Sequence, residues 1–386
     1  MIRHYFIAAV AALALATSVH AEPITPTPAE QTQLDALNQT EDWFIAHLKG
    51  PRESSGDDLL DARLQYVLEN VTRPASAPAV QAYLRNSYKT PEGRAATRTA
   101  LDRYWDLHTL ATPEVATEDS TITGRDGTQI PIRVYRPTSD KPLPVLVYYH
   151  GGGFMFGSID GWDRTVRLIA NEAHMIVVSV GYRLAPESPY PAAWNDAEDA
   201  YLWAVDQAKT LGGTTVSVGG DSAGGTLAIA VALRARDDHK PMPAAMLLYY
   251  PGVDRVNDYP SMKAFGTGYG LDADNLKYLA DQVYPAGVVT PPADTSPMQA
   301  DLCGLPRAYI VTAGFDPLKD SQAAFSRKLS SNGVSCKSFE GGVLETQTSL
   351  IHGFLQTTAY VPEALDAAKT SAQDFGKFAT DMAEVK

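Results

Sequence analysis

Cysteine is nearly missing from this chain, with two in 386 residues. No C-x-x-C pair and no H-E-x-x-H helix occurs, so nothing marks a metal site and no metal is expected. Cys303 and Cys336 can form one bridge at most, and the residues leave a disulfide and two separate buried thiols both open. Runs of Lys or Arg are missing too. With 32 basic and 45 acidic residues and a net charge of −13, the chain lacks the clustered positive charge that nucleic acid or an anionic membrane surface demands. Neither is expected as a partner. The N-terminal apolar run, Tyr5 to Ala16, has 12 residues, well short of the roughly 20 that a spanning helix needs. No G-K-[ST] is present, and the glycines of GTGYG (266–270) do not follow a strand as a dinucleotide fingerprint must, so no cofactor is expected.

What is present is an ordinary globular composition, 45 % hydrophobic and 20 % charged. The length suffices for one large domain or a domain with a lid. Residues 1–21 read as a cleavable signal peptide: Arg3, then the short apolar run, then Val19-His20-Ala21 as a small-residue cleavage site. This predicts a periplasmic or secreted protein beginning at Glu22. Residues 22–115 open on a Pro-rich linker and carry helix-like segments at Gln33–Leu48, Asp57–Val71, Pro78–Ser87 and Thr97–Leu110. Leu60, Leu64, Val67, Leu68 and Val71 give one of them an apolar face. This part is predicted to be a helical cap, with His47 and His108 as ordinary helix residues.

From about residue 116 the pattern changes. Asp126-Gly127 between two β-type runs signals a hairpin. Apolar strands then alternate with helix-like stretches: 144–149, 175–182, 214–220, 244–250, 307–314 and 334–340. Ala197, Tyr201, Ala204, Ala208 and Leu211 recur at the helical period. Alternation with doubly buried strands predicts an α/β fold, a mostly parallel sheet covered on both faces, in residues 116–386. Residues 252 to about 300 interrupt it and are predicted to form a lid insertion. In such sheets chemistry gathers beyond the carboxyl ends of the strands.

At one such end stands GGDSAGG (219–225), between a predicted strand and a predicted helix. It satisfies G-x-S-x-G, the turn that exposes a serine nucleophile, because strand and helix backbones come too close there for side chains. Ser222 is the predicted nucleophile. A serine needs a base and the base an orienting acid, in the order Ser, Asp or Glu, His. Of the two histidines that follow, His239 sits in a polar loop after a helix. His352 follows a predicted strand and stands in I-H-G-F, so it is the predicted base. Asp316 leaves a strong strand directly and is the predicted acid; Asp320, Glu340 and Glu345 are the alternatives. The Gly-rich stretch after the strand 144–149 and the amide of Ala223 supply donors for a tetrahedral oxyanion.

The ordered set HGGGF, YRLAPESPYPAA, GGDSAGG, LLYYP, DPLKD and HGF resembles the hormone-sensitive-lipase-like branch of the α/β-hydrolases, the bacterial family IV carboxylesterases, over about 120–360. The resemblance implies the α/β-hydrolase fold with a helical cap and a triad of Ser222, Asp316 and His352. It implies Gly152, Gly153 and Ala223 as the oxyanion hole, with His150 shaping the oxyanion loop. The implied activity is hydrolysis of short- to medium-chain esters, with a small-molecule ester as partner and no cofactor. Amidase, lactonase and deacetylase chemistry use the same residues, and a ligand-binding protein uses the same scaffold. Phe154, Phe156, Trp162, Tyr182 and Tyr250 are candidates for lining the substrate cleft. The chain departs from the family at Ser321, where Glu is usual, and in the long stretch 340–352, both of which bear on pocket shape.

Overall fold

Among the described residues, eight strands make one sheet: β1 Ala116–Thr123, β2 Gln129–Arg136, β3 Leu143–Tyr149, β4 Ile176–Val180, β5 Gly213–Asp221, β6 Met246–Tyr249, β7 Ala308–Phe315 and β8 Val343–Ile351. The structure is a computed structural model that describes residues 25–284, 292–336 and 342–380, with 332–336 as backbone. The predicted signal peptide and Glu340 lie outside the described residues. The order across the sheet is β1-β2-β4-β3-β5-β6-β7-β8. β2 runs antiparallel to β1 and β4, and the strands from β4 to β8 are parallel. At the β1–β2 hairpin Gly127 takes φ +84°, which a side chain would resist.

Among the described residues, the α-helices of six or more residues are α1 Pro28–Leu37, α2 Glu41–Ala46, α3 Ala62–Val67, α4 Pro78–Ser87, α5 Pro91–His108, α6 Asp163–Ala173, α7 Ala192–Gln207, α8 Ala223–Asp237, α9 Pro260–Phe265, α10 Ala273–Val283, α11 Lys319–Cys336 and α12 Pro362–Thr380. Strand alternation sends Val145, Val147 and Tyr149 of β3 to one face, where they pack with Ala197 and Ala204 of α7 and Leu227 and Val231 of α8. Leu146 and Tyr148 go to the other face, with Val166 and Ile169 of α6 and Ala368 and Phe375 of α12. Because both faces are covered, the central strands read as unbroken apolar runs rather than alternating ones.

Two expectations need correction. The predicted strand at 334–340 is overturned at its start: residues 334–336 end the helix begun at Lys319, 337–340 lie outside the described residues, and the eighth strand is Val343–Ile351. That strand lies at the sheet edge with its first residues exposed, so its sequence, VLETQTSLI, carries too little apolar patterning to announce it. Cys336 therefore ends a helix instead of starting a strand beside that of Cys303. Cys303 is disulfide-bonded, while the Cys336 side chain lies outside the described residues. The single helix expected over Gln33–Leu48 is two, because Asn38 ends α1 and the Thr40 hydroxyl accepts the Trp43 amide to start α2.

After β6 the chain leaves the sheet for α9 and α10. The loop between them is tied to the N-terminal segment: Arg73 donates to the Gly268 carbonyl (3.1 Å) and to Glu53 (2.8 Å), and the Tyr269 hydroxyl donates to the same carboxylate (2.6 Å). No helix among the described residues is long and apolar enough to cross a membrane.

Candidate active site

The strand β5 ends at Asp221 and α8 begins at Ala223, leaving Ser222 alone at the corner with φ 53° and ψ −116°. A non-glycine residue there is strained, and the surrounding packing holds it. A Cβ at Gly220 or Gly224 would strike the Tyr149 carbonyl oxygen of the neighbouring strand. The glycines are therefore required by close approach. The Ser222 amide donates to the Tyr249 carbonyl (2.9 Å), and its own carbonyl accepts from Gly252 and Thr226.

His352 follows the last residue of β8. Its Nε2 lies 2.9 Å from Ser222 Oγ, and its Nδ1 lies 2.9 Å from Asp316 Oδ2. The histidine side chain is 10 % exposed and the aspartate 0 %. Asp316, one residue beyond β7, also accepts from the Leu318 amide through Oδ1 (2.7 Å). With Asp316 accepting from Nδ1, the ring is in the tautomer that leaves Nε2 free to take a proton from the serine. Over the imidazole lies Tyr250 (centroids 4.8 Å), itself fully buried.

The alternatives to Asp316 are engaged elsewhere. Asp320 accepts the Ser261 amide (2.9 Å) and holds α9 in place. Glu345 accepts from Tyr309 (2.7 Å) on β8 and β7. His239 is exposed, and His47 and His108 bond to backbone carbonyls of their own helices.

The loop after β3 turns through Gly152 (φ 108°) and Gly153 (φ 62°). Among the described residues, their amides donate to no protein acceptor. The Ala223 amide stands at the first turn of α8, where helical N–H groups have no partner in the helix. The loop is held from below by His150, which is 1 % exposed. Burial pulls the His150 pKa down to about 4, so the ring stays neutral, and its Nδ1 lies 2.7 Å from the Gly151 carbonyl. Tyr182 stacks on that ring (4.3 Å) and donates to the His150 carbonyl (2.7 Å).

The aromatic residues separate into two groups. Phe154 stacks on Trp194 (4.5 Å) in the core, Tyr182 is committed to His150, and Trp162 donates Nε1 to Asp221 (2.9 Å). Together with Tyr250 they are buried, which corrects the expected five-aromatic lining. Phe156 is half-buried and packs with Tyr88 (5.2 Å), which neighbours Tyr278 (6.2 Å). Sequence reasoning missed Tyr88, which ends α4, and Tyr278 and Leu279 on α10; no motif marks them, since a roof is set by packing between distant segments. It also passed over Asp221, although that residue lies inside the GGDSAGG motif.

A serine, an imidazole and a buried carboxylate in line, beside three free amides, form a site for acyl transfer. The model of a family described as having the α/β hydrolase fold matches residues 146–355, which contain all of them. The chain belongs to that family. A carboxylesterase of Mycobacterium tuberculosis is 39 % identical over 263 residues, 66 % of this chain and 80 % of the relative. An ethyl acetate hydrolase of Pseudomonas putida is 34 % identical over 258 residues, 64 % of this chain and 78 % of the relative. Among solved structures, an α/β hydrolase enzyme from the metagenome of Lake Arreo superposes with a TM-score of 0.69 at 32 % identity, covering 78 % of this chain and 95 % of its own. Homology and geometry thus point to the same hydrolase scaffold.

Proposed function

We propose that this α/β-hydrolase is a serine carboxylesterase that cleaves short- to medium-chain esters through an acyl-enzyme. The observation that carries the reading is the relay Ser222 Oγ to His352 Nε2 to Asp316, both steps at 2.9 Å. In the first step Oγ bonds to the ester carbonyl carbon and its proton passes to Nε2. The carbonyl electron pair moves onto oxygen, and the amides of Gly152, Gly153 and Ala223 receive that charge. Such donors contribute about 3–4 kcal/mol each in the transition state. Collapse breaks the bond to the alcohol oxygen, which takes the proton from Nε2. Water then repeats the cycle on the acyl-enzyme, and Ser222 regains its proton. Asp316 stabilises the imidazolium at each stage without being protonated.

Support for smaller acyl groups comes from the roof above Gly153, where α10 leaves little room, and from the ethyl acetate hydrolase among the relatives. We propose also that α1–α5 and the 252–300 insertion act together as a cap over the site, joined through Glu53, Arg73 and Tyr269. The N-terminal stretch that reads as a signal peptide supports export, as does a disulfide-bonded Cys303, since such bonds persist in oxidising compartments. The mature protein should begin at Glu22, read by N-terminal sequencing of the exported form.

The test is turnover of p-nitrophenyl esters of increasing chain length, with an amide control. Ser222→Ala should abolish it, and a phosphonate ester should label Ser222 at one equivalent. Undiminished turnover by the variant, or labelling of another residue, refutes the proposal.

A further inference from the structure

Next to the nucleophile the structure holds a carboxylate that the relay does not use. Asp221 is 2 % exposed. Its Oδ1 accepts three hydrogen bonds from three different elements: the Tyr148 hydroxyl of β3 (2.9 Å), the Gly151 amide of the oxyanion loop (3.0 Å) and Trp162 Nε1 at the start of α6 (2.9 Å). Three donors on one buried oxygen is the arrangement that an ionised carboxylate takes inside a protein. Gly151 must be glycine for it, because a Cβ there would collide with Asp221 Oδ2.

From this geometry we propose that Asp221 is a positioning residue of the hydrolysis, a buried carboxylate that fixes the oxyanion loop to the nucleophile strand. The inference rests on the serine-esterase reading. Mechanically, the Gly151 amide is pinned one residue before Gly152, so the carboxylate sets where the loop's free amides sit relative to Ser222. Asp316 orients the ring by direct contact, whereas Asp221 acts through the loop.

The surroundings fit a carboxylate kept near its ionisation threshold. Burial pushes its pKa up to about 6, against the three donors and His352, which lower it. The phenols of Tyr182, Tyr249 and Tyr250 also feel its charge, and the nearby His150 is neutral. The Trp162 ring that donates to Asp221 meets Trp105 of α5 edge-on at 4.8 Å. The carboxylate therefore also connects the site to the N-terminal helices.

Two full-length variants test the role against a merely structural one. Asp221→Asn keeps the shape and removes the charge. Its kcat on p-nitrophenyl butyrate should fall about tenfold or more with KM within about twofold, the signature of lost transition-state stabilisation. The acid limb of its kcat/KM profile should move to lower pH by about half a unit, because the loss of activity as Asp221 itself takes a proton is absent from this variant. Tyr148→Phe keeps the charge and removes one donor, so the same limb should move to higher pH as Asp221 protonates more readily. Opposite shifts in the two variants establish the role. A wild-type kcat and pH midpoint in Asp221→Asn overturn it, and so does a Tyr148→Phe midpoint that stays put should the first variant fail to fold. Stoichiometric phosphonate labelling of Ser222 in both variants separates these outcomes from failure of the esterase reading.

Discussion

Leu279 of α10 lies against Gly153 so closely that a Cβ on Gly153 would come within 2.7 Å of its Cδ1 methyl. A residue of the insertion thus roofs a residue proposed to hold the oxyanion. The contact limits the space into which a substrate chain can extend. Leu279→Ala should raise kcat/KM for octanoate relative to butyrate p-nitrophenyl esters by about tenfold, since each buried methylene is worth about 0.8 kcal/mol. Unchanged chain-length preference would place the acyl pocket elsewhere.

At Gly153 itself the expectation is loss. A side chain is disfavoured at φ 62° and must also displace Leu279. Gly153→Ala should lower kcat about 100-fold or more by moving one donor, with a fall of a few degrees in melting temperature from the strain. A variant with near-normal kcat would remove Gly153 from the oxyanion hole.

Asp316 is fixed by the Leu318 amide on Oδ1 while Oδ2 faces His352 Nδ1. Asp316→Asn keeps the size, yet it removes the charge and allows an amide N–H to face Nδ1, favouring the wrong tautomer. kcat should drop by about 1,000-fold or more. Loss of less than about tenfold would show that the imidazole is oriented without it.

The relay was legible because each member stands where a strand ends. Tight turns and strand ends leave strong local signals: glycines at 220 and 224, an apolar run before Asp316, a glycine after His352. The sheet was legible for the same reason, as buried parallel strands are continuous apolar runs. Val343–Ile351 was not, being an edge strand with polar residues at Glu345, Gln347 and Ser349. Of the roof only Phe156 was legible, as one of the expected cleft aromatics. Tyr88, Tyr278 and Leu279 join it through tertiary packing of segments almost 200 residues apart, and each of these alone looks like any half-buried apolar residue. Asp221 was visible but passed over, because a motif read for its serine draws attention away from its neighbours.

Glu53 joins the N-terminal segment to the insertion by accepting from Arg73 and Tyr269, and Arg73 reaches on to the Gly268 carbonyl. These hydrogen bonds hold the Glu53 carboxyl below its ordinary pKa although burial opposes them. A lowered pKa in the folded state contributes stability above the unfolded value that is lost as pH falls through the folded one. Glu53→Gln should therefore destabilise by about 1 kcal/mol at pH 7, discounted for partial exposure, and by less at pH 3. It should also raise KM more than it lowers kcat, if the joined segments hold the cap closed. A variant that changes stability without changing KM separates the latch from the site.

The opposite dependence is expected from Asp102 on α5. This carboxylate packs against Gly161, beside Ser158, and burial with Asp160 nearby raises its pKa to about 6, against the help of Ser158 and Arg98. One turn on, Asp106 is also raised to about 6 by burial, even though Arg164 lies 3.1 Å away. A pKa raised in the folded state contributes stability that is full below the unfolded value and is lost as pH rises through about 6. Docking of α5 on the sheet domain should therefore tighten in acid and loosen at neutral pH. Asp102→Asn supplies the neutral form at every pH. It should match the wild type only below the unfolded value, at about pH 3.5, and melt about 2 °C higher than it near pH 8, the difference opening between about pH 4 and 6. Scanning calorimetry of both proteins across that range decides the matter. A constant difference would mean that Asp102 is ionised throughout, held by partners that outweigh its burial.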